Sequence, residues 1–386
     1  MQGKKLKIKN YNIPLSQQDI TEQEISAVND VLRSSALSLG PKLPEFEEKV
    51  ARFVGVKHAI AVNSGTSGLH LCVRALDIKD DDEVITTPFS FVASANCMLF
   101  ERAKPVFVDI DKTTLNIDSS KIEAAITPRT KAILPVHIFG LPANMPVIME
   151  IAKKHNLSVI EDSCEALGAT VDGVQAGAIG DCGTFAFYPN KQMTTGEGGI
   201  IVTDNDYIAK LSKSMRNQGR DEGMGWLAHT RLGYNYRISD INCALGIVQI
   251  ERIHEILKAR NDVAKMYKDV LSKELPEIIL PCEDADGLSR SWFVYVVQLP
   301  HKYSEEQRNS VIHHLRERGI GCNCYFPPIH LQPFYKELYG YKEGDFPVTE
   351  CVSKRSIALP FFNKLSEENI KIVTQELKEA VIYSHG

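Results

Sequence analysis

The sequence predicts an α/β fold: a large domain on a mostly parallel sheet with helices on both faces, then a smaller α+β domain. Two observations carry this reading. Between residues 57 and 203 seven short apolar runs alternate with amphipathic segments, and after residue 250 the pattern changes to long helices around few strands. A third, the composition, is that of an ordinary globular protein, with 44% hydrophobic and 24% charged residues.

The seven runs are HAIAVN (58–63), EVITTP (83–88), KPVFVDI (104–110), KAILPVHIFG (131–140), LSVIED (157–162), GTFAFYP (183–189) and GGIIVTD (198–204). Their length and β-branched content suit buried strands. Helical patterns such as SGLHLCVRAL (67–76) and NMPVIMEIAKKHN (144–156) lie between them. In the second, Ile148, Ile151 and Ala152 share one face, while Lys153 and Lys154 lie toward the other. Strand and helix in repetition imply a parallel sheet covered on both sides. A helical stretch at 250–271 then leads to a loop, LPCEDADG (280–287), a strand, SWFVYVVQL (291–299), and helices at 304–319 and 366–381. The expected domains are residues 1–250 and 251–386.

The chain has 386 residues, enough for two domains. Lys plus Arg number 44 and Asp plus Glu 49, a net charge of −5, so no basic field exists to grip nucleic acid. The start, MQGKKLKIKNYNIPLS, is basic without an apolar core behind it, unlike a signal peptide. No apolar run approaches bilayer length, so no membrane is expected. The nine cysteines are dispersed, which argues against a disulfide framework. A cytoplasmic location is expected.

Three stretches could carry chemistry. In VNSGTSGLHL (62–71) a strand ends, a turn follows and a helix begins. Free N–H groups there, with the hydroxyls of Thr66 and Ser67, would suit a phosphate, although a capped helix after a tight turn is the better account of the stretch taken alone. It contains no P-loop signature. SVIEDSCEALGA (158–169) puts Glu161 and Asp162 at a strand's carboxyl end, where α/β folds bind ligands. Asp162 read alone is a cap or a partner for a cation; with no compact His and carboxylate cluster beside it, no metal is expected. In FAFYPNKQMTTGEGG (185–199), Lys191 follows aromatic residues and precedes glycines. A desolvated lysine can attack an aldehyde; a snorkelling one does nothing. Together, a phosphate turn, a strand-end acid and an enclosed lysine, the last two separated by 191 − 162 = 29, are the parts pyridoxal phosphate requires.

The chain resembles the sugar aminotransferases of the DegT/DnrJ/EryC1/StrS type, from about residue 12 to its end. The blocks that carry the resemblance include GPKLPEFEEKVARFVGVKHAIAVNSGTSGLHL (40–71), DEVITTPFSFVASAN (82–96), AKPVFVDID (103–111), EDSCEALGA (161–169), FYPNKQMTTGEGGIIVTD (187–204) and LGYNYRISDINCALGIVQIERI (232–253). It implies the type I pyridoxal-phosphate fold with a seven-stranded sheet. It implies that Lys191 forms the Schiff base, Asp162 pairs with the pyridinium nitrogen, and Gly65, Thr66 and Ser67 cradle the phosphate. Phe91 matches the aromatic that stacks on the cofactor, where residue reading alone expects a core phenylalanine. Asn235 matches an asparagine reaching the phosphate of a neighbouring subunit, hence a homodimer with shared sites.

Two positions depart from the family pattern. Ala186 stands where many members have a phosphate-binding serine, and Glu165 where many have glutamine. The glutamate is similar to branches resembling perosamine synthases, which act on GDP-linked 4-keto-6-deoxyhexoses. Arg220, Tyr325 and His330 match regions that meet the sugar nucleotide, with a loop histidine as the bland reading of His330. The expected activity is transfer of the L-glutamate amine to a nucleotide-linked keto-sugar. The alternatives are a sugar dehydratase, in which histidine replaces the lysine, and a non-catalytic regulator on the same fold. A Rossmann dehydrogenase is disfavoured because no G-x-G-x-x-G follows the strand at 58–63.

Overall fold

The computed structural model describes residues 10–383 except 224, 226 and 227. Most of the basic amino-terminal stretch weighed above as a leader therefore lies outside the described residues. Each apolar run coincides with a strand shorter than itself, two of which (β4 and β6) begin one residue before the run: β1 (His58–Val62), β2 (Glu83–Thr86), β3 (Lys104–Phe107), β4 (Thr130–Ile133), β5 (Ser158–Asp162), β6 (Cys182–Ala186) and β7 (Gly199–Thr203). The run at 131–140 is cut most, because Pro135 has no N–H for a ladder; the chain turns through a 3-10 helix at Ile138–Gly140 instead.

The seven strands form one sheet in the order β1-β7-β6-β5-β4-β2-β3. Strands β3, β2, β4, β5 and β6 are mutually parallel. Strand β7 is antiparallel to both β6 and β1. The reversal has a local cause: residues 187–198 turn the chain back with no crossover helix, as a parallel connection would need. That reversing loop carries Lys191.

The principal helices are α1 (Glu22–Arg33), α2 (Lys42–Val54), α3 (Gly65–Ala75), α4 (Ala93–Leu99), α5 (Met145–His155), α6 (Asp206–Arg216), α7 (Asp240–Glu251), α8 (Ile253–Glu274), α9 (Glu305–Glu317) and α10 (Glu367–Tyr383). Alternation along β7 shows why both faces are covered. Ile200 and Val202 pack with Phe46 and Ile247 on one side, whereas Ile201 packs with Leu69 and Leu71 on the other. The helical stretch expected at 250–271 is two helices meeting at Arg252, whose guanidinium binds Asp19 and Glu24.

In the carboxyl-terminal part, β8 (Tyr295–Gln298) and β9 (Ser356–Leu359) pair antiparallel. Tyr267, Val297, Leu315 and Leu377 belong to the core beneath them. Residues 11–15 join this part: Ile13 N–H donates to Gly319 (2.8 Å) and Gly321 N–H donates back to Ile13 (2.7 Å). The described beginning of the chain thus packs against its end. All nine cysteines are free. Among the described residues no helix is long and apolar enough to cross a membrane.

Candidate active site

Asp162 is the last residue of β5, and the chain holds it on both sides. Its backbone N–H donates to Pro135 and its carbonyl accepts from His137, extending the sheet past the end of β4. Its carboxylate is buried and accepts from the Ser94 hydroxyl (2.6 Å) and the Cys164 N–H (3.1 Å). The second contact is a local turn, and no helix begins here, so the helix-cap reading of Asp162 is not met. Glu161 points to the opposite face, as alternation requires. It accepts from the N–H groups of Gly177, Ile179 and Gly180 and from His137 Nε2. His137 Nδ1 accepts from Ala143, which leaves the proton on Nε2. Glu161 is architectural; Asp162 faces the site.

The turn at 63–67 joins β1 to α3. Ser64 caps the helix: its hydroxyl accepts from Ser67 N–H (3.1 Å) and its carbonyl from Gly68 N–H (3.1 Å). The N–H groups of Gly65 and Thr66, first in the helix, are left without an intrahelical acceptor. The Ser67 hydroxyl donates to Asn63 Oδ1 (2.7 Å), so it is engaged locally. Two strands crowd this turn. A Cβ on Gly199 would lie 2.6 Å from the Ser64 carbonyl carbon, and one on Gly65 would lie 2.8 Å from the Ala186 Cβ and 2.9 Å from the Cys164 sulfur. Ala186 therefore abuts the turn where the resemblance places a serine. Cys164, which also holds Asp162, links the acid to the turn.

Lys191 does not snorkel. Its side chain is 13% exposed, with Nζ 3.7 Å from Glu165 Oε1 and 3.9 Å above the centre of the Phe293 ring. Buried Phe185 and Phe187 anchor the loop, and Phe187 N–H donates to Gly198 (2.9 Å) across its neck. Burial pushes the Glu165 carboxyl up to about 6, against the opposing pull of the Lys191 charge. Its other oxygen accepts from Phe139 N–H (2.8 Å). Gln192 donates to the Glu165 carbonyl (2.6 Å) and to Ser291. Arg260, from α8, donates to the carbonyls of Trp292 (2.7 Å), Phe293 (2.8 Å) and Asn190 (3.5 Å). Burial lowers its pKa to about 10. One guanidinium thus ties the lysine loop to the segment that supplies Phe293.

Tyr325 stands in the same wall: its ring stacks on Phe326 and lies 6.4 Å from those of Phe139 and Phe293. Burial, then the Glu165 charge, raise its phenol pKa. Phe91 is 61% exposed on the loop after β2, which overturns the core reading and leaves its ring open. Asn235 is exposed on the segment beside the turn, and its carbonyl accepts from Asn63 Nδ2 (3.4 Å). Arg220 lines a separate cavity between α2 and α6. His330 is fully buried, its Nε2 3.0 Å from Glu350 and its ring edge-on to Phe346; burial lowers its pKa. In this chain its side chain presents no surface to solvent.

The structure thus brings together Lys191, Glu165, Asp162, Tyr325 and the turn at 64–67. Sequence reasoning did not single out Ser94, Phe139, Cys164, Arg260 or Phe293. Ser94 and Cys164 stand inside blocks quoted for the resemblance; the others gave no signal of their own.

The profile described as the DegT/DnrJ/EryC1/StrS aminotransferase family matches residues 18–378. A GDP-perosamine synthase of Caulobacter vibrioides is 40% identical over 345 residues, 89% of this chain and 91% of that protein. Among solved structures, Helicobacter pylori PseC, an aminotransferase of pseudoaminic acid biosynthesis, superposes with a TM-score of 0.90 at 29% identity, covering 97% of this chain and 100% of that one. A sugar aminotransferase candidate from Streptococcus pneumoniae, in its PLP form, gives a TM-score of 0.91 at 29% identity with the same coverage.

Proposed function

The chain belongs to the DegT/DnrJ/EryC1/StrS aminotransferase family, enzymes dependent on pyridoxal phosphate, and on that premise we propose its substrates and the roles of its residues. It moves the amine of L-glutamate onto a nucleotide-linked keto-sugar, a GDP-linked 4-keto-6-deoxyhexose being the best candidate. The observation that carries the reading is the enclosed Lys191 amine, held between Glu165 and the Phe293 face. The acceptor rests on Glu165 in place of glutamine and on the likeness to a GDP-perosamine synthase.

When bound, pyridoxal phosphate supplies an aldehyde that takes up an amine and a ring that accepts an electron pair. Gly65 and Thr66 donate backbone N–H groups to the phosphate, helped by the positive end of α3. Asp162, fixed by Ser94 and Cys164, keeps the ring nitrogen protonated. Phe91 offers its open face for stacking. Lys191 would hold the cofactor's aldehyde through Nζ, and that Nζ, once given up to a substrate amine, would be the group that moves the proton. Phe293, Phe326 and Tyr325 exclude water around that amine. Asn235 reaches the phosphate held by a second copy of the chain, so the active unit is a homodimer. Arg220 and Tyr325 are assigned to the sugar nucleotide on the resemblance alone, and so is His330, which would have to become accessible first. Product alternates with substrate in ping-pong order.

Borohydride reduction of the yellow holoenzyme is expected to leave a pyridoxyl adduct on the peptide containing Lys191. An adduct on another lysine overturns the assignment. Discharging the amine-loaded enzyme against GDP-, UDP- and dTDP-linked keto-sugars tests the acceptor. Turnover with the UDP or dTDP sugar but not the GDP sugar would refute the GDP reading.

A further inference from the structure

A second cavity lies between the large sheet's loops and the carboxyl-terminal part, enclosing about 650 Å³. Its walls are mostly apolar, with Leu280, Trp292, Val296 and Val352 among them. Lys112, Arg290 and Arg355 also line it, and no aspartate or glutamate does. That charge is unbalanced in a telling way. Arg290 stacks over Trp292 (4.6 Å) and pairs with Asp284 behind the wall. Among the described residues Arg355, buried, donates only to neutral acceptors: the carbonyls of Leu299 (2.6 Å) and Cys351 (3.1 Å), the amide oxygen of Gln298 (3.3 Å) and the Cys351 sulfur (3.6 Å). Among the described residues no carboxylate pairs with Arg355 or with Lys112 at the mouth. A buried cation without a counter-charge is costly, and proteins ordinarily pair it.

We propose that this cavity is a binding site for a small molecule with an apolar body and a single anionic head, distinct from the Lys191 site. The head lies toward Arg355 and Lys112, and the body covers the apolar wall. A volume of this size is that of a small-ligand site, and the sign of its lining selects the charge. The cavity also shares a residue with the first site: Phe139 lines it and donates its N–H to Glu165. The proposal does not rest on the aminotransferase substrates, so it stands or falls separately from them.

The probe is 8-anilinonaphthalene-1-sulfonate, titrated by fluorescence into the cofactor-loaded protein. N-phenyl-1-naphthylamine, the same body without the sulfonate, is the control. Saturable binding of the sulfonate is expected, with the neutral dye at least about tenfold weaker. Lys112→Glu reverses an exposed charge at the mouth and is expected to weaken the sulfonate by about two- to fivefold. Thr113→Trp, also exposed, is expected to block entry and abolish saturable binding. Neither position is in the core, so both variants are expected to keep the wild-type circular dichroism and melting temperature. Equal affinity for the two dyes, or sulfonate binding unchanged in both variants, overturns the site.

Discussion

At the scale of single residues, the least ordinary group is Glu165. Its carboxyl titrates near 6 in the fold against an ordinary 4.5, because burial disfavours its charge more than Lys191 favours it. Between those values the folded chain keeps a proton that the unfolded chain has released. This contribution to stability is therefore complete below about pH 4.5 and is lost as the pH rises through 6, by about 2 kcal/mol. Glu165→Gln removes it. The stability of the cofactor-free parent relative to that variant, measured by urea unfolding, should fall by about this amount between pH 4 and pH 7. A difference that does not move with pH would count against the burial of this carboxyl. The enclosure of Lys191 and the strand-end place of Asp162 were legible in the sequence because their signals are local: aromatic residues and glycines flank one, and an apolar strand run ends at the other. Phe293 was not, because it meets Lys191 across 293 − 191 = 102 residues, and an apolar strand pattern does not say which ring will face an amine. Ser94 meets Asp162 across 68 residues and reads, in sequence, as an ordinary helix serine.

At the scale of elements, the site is made by ends rather than by middles. The end of β1, the end of β5 and the loop between β6 and β7 converge, and Gly199 is where the last of these touches the first. Ala at 199 would drive a Cβ into the backbone of Ser64 and Gly65. Because that neighbour is backbone, Gly199→Ala is expected to cost about 1–3 kcal/mol and to weaken cofactor binding together with stability. Thermal unfolding with and without cofactor checks it; loss of stability with unchanged cofactor affinity would separate the turn from the phosphate. The strands were legible as short β-branched runs, and α3 and α5 through their periodicity. The direction of β7 was not, since an apolar run buried on both faces reads alike in either sense. Nor was the break at Arg252, where the helical pattern continues and only the ion pairs to Asp19 and Glu24, far off in sequence, mark the joint.

At the scale of the whole molecule, the proposed sharing of sites between two copies makes a prediction that no single chain can meet. Lys191→Ala and Asn235→Ala are each expected to lower amine transfer, the first to background. Mixed and allowed to exchange subunits, they form hybrids in which one site carries both lesions and the other carries neither. Activity is therefore expected to reappear on mixing, and its absence, with hybrids demonstrated by mass, would mean that Asn235 serves its own chain. Fold class and family were legible in the blocks between residues 40 and 253; the docking of residues 11–15 on the opposite end of the chain was not, because their partners are backbone groups with no sequence signature. The sheet order has one more consequence, in time. Among the described residues, the strand that β1 pairs with in the sheet is β7 alone, which ends at Thr203. During synthesis the turn at the end of β1 waits, unsupported by its sheet, until some 140 further residues have left the ribosome, as 203 − 62 = 141 indicates. With the role proposed for that turn, cofactor capture would be a late event in the birth of this protein, gated by a strand far down the chain, and long-range closure of that kind slows folding.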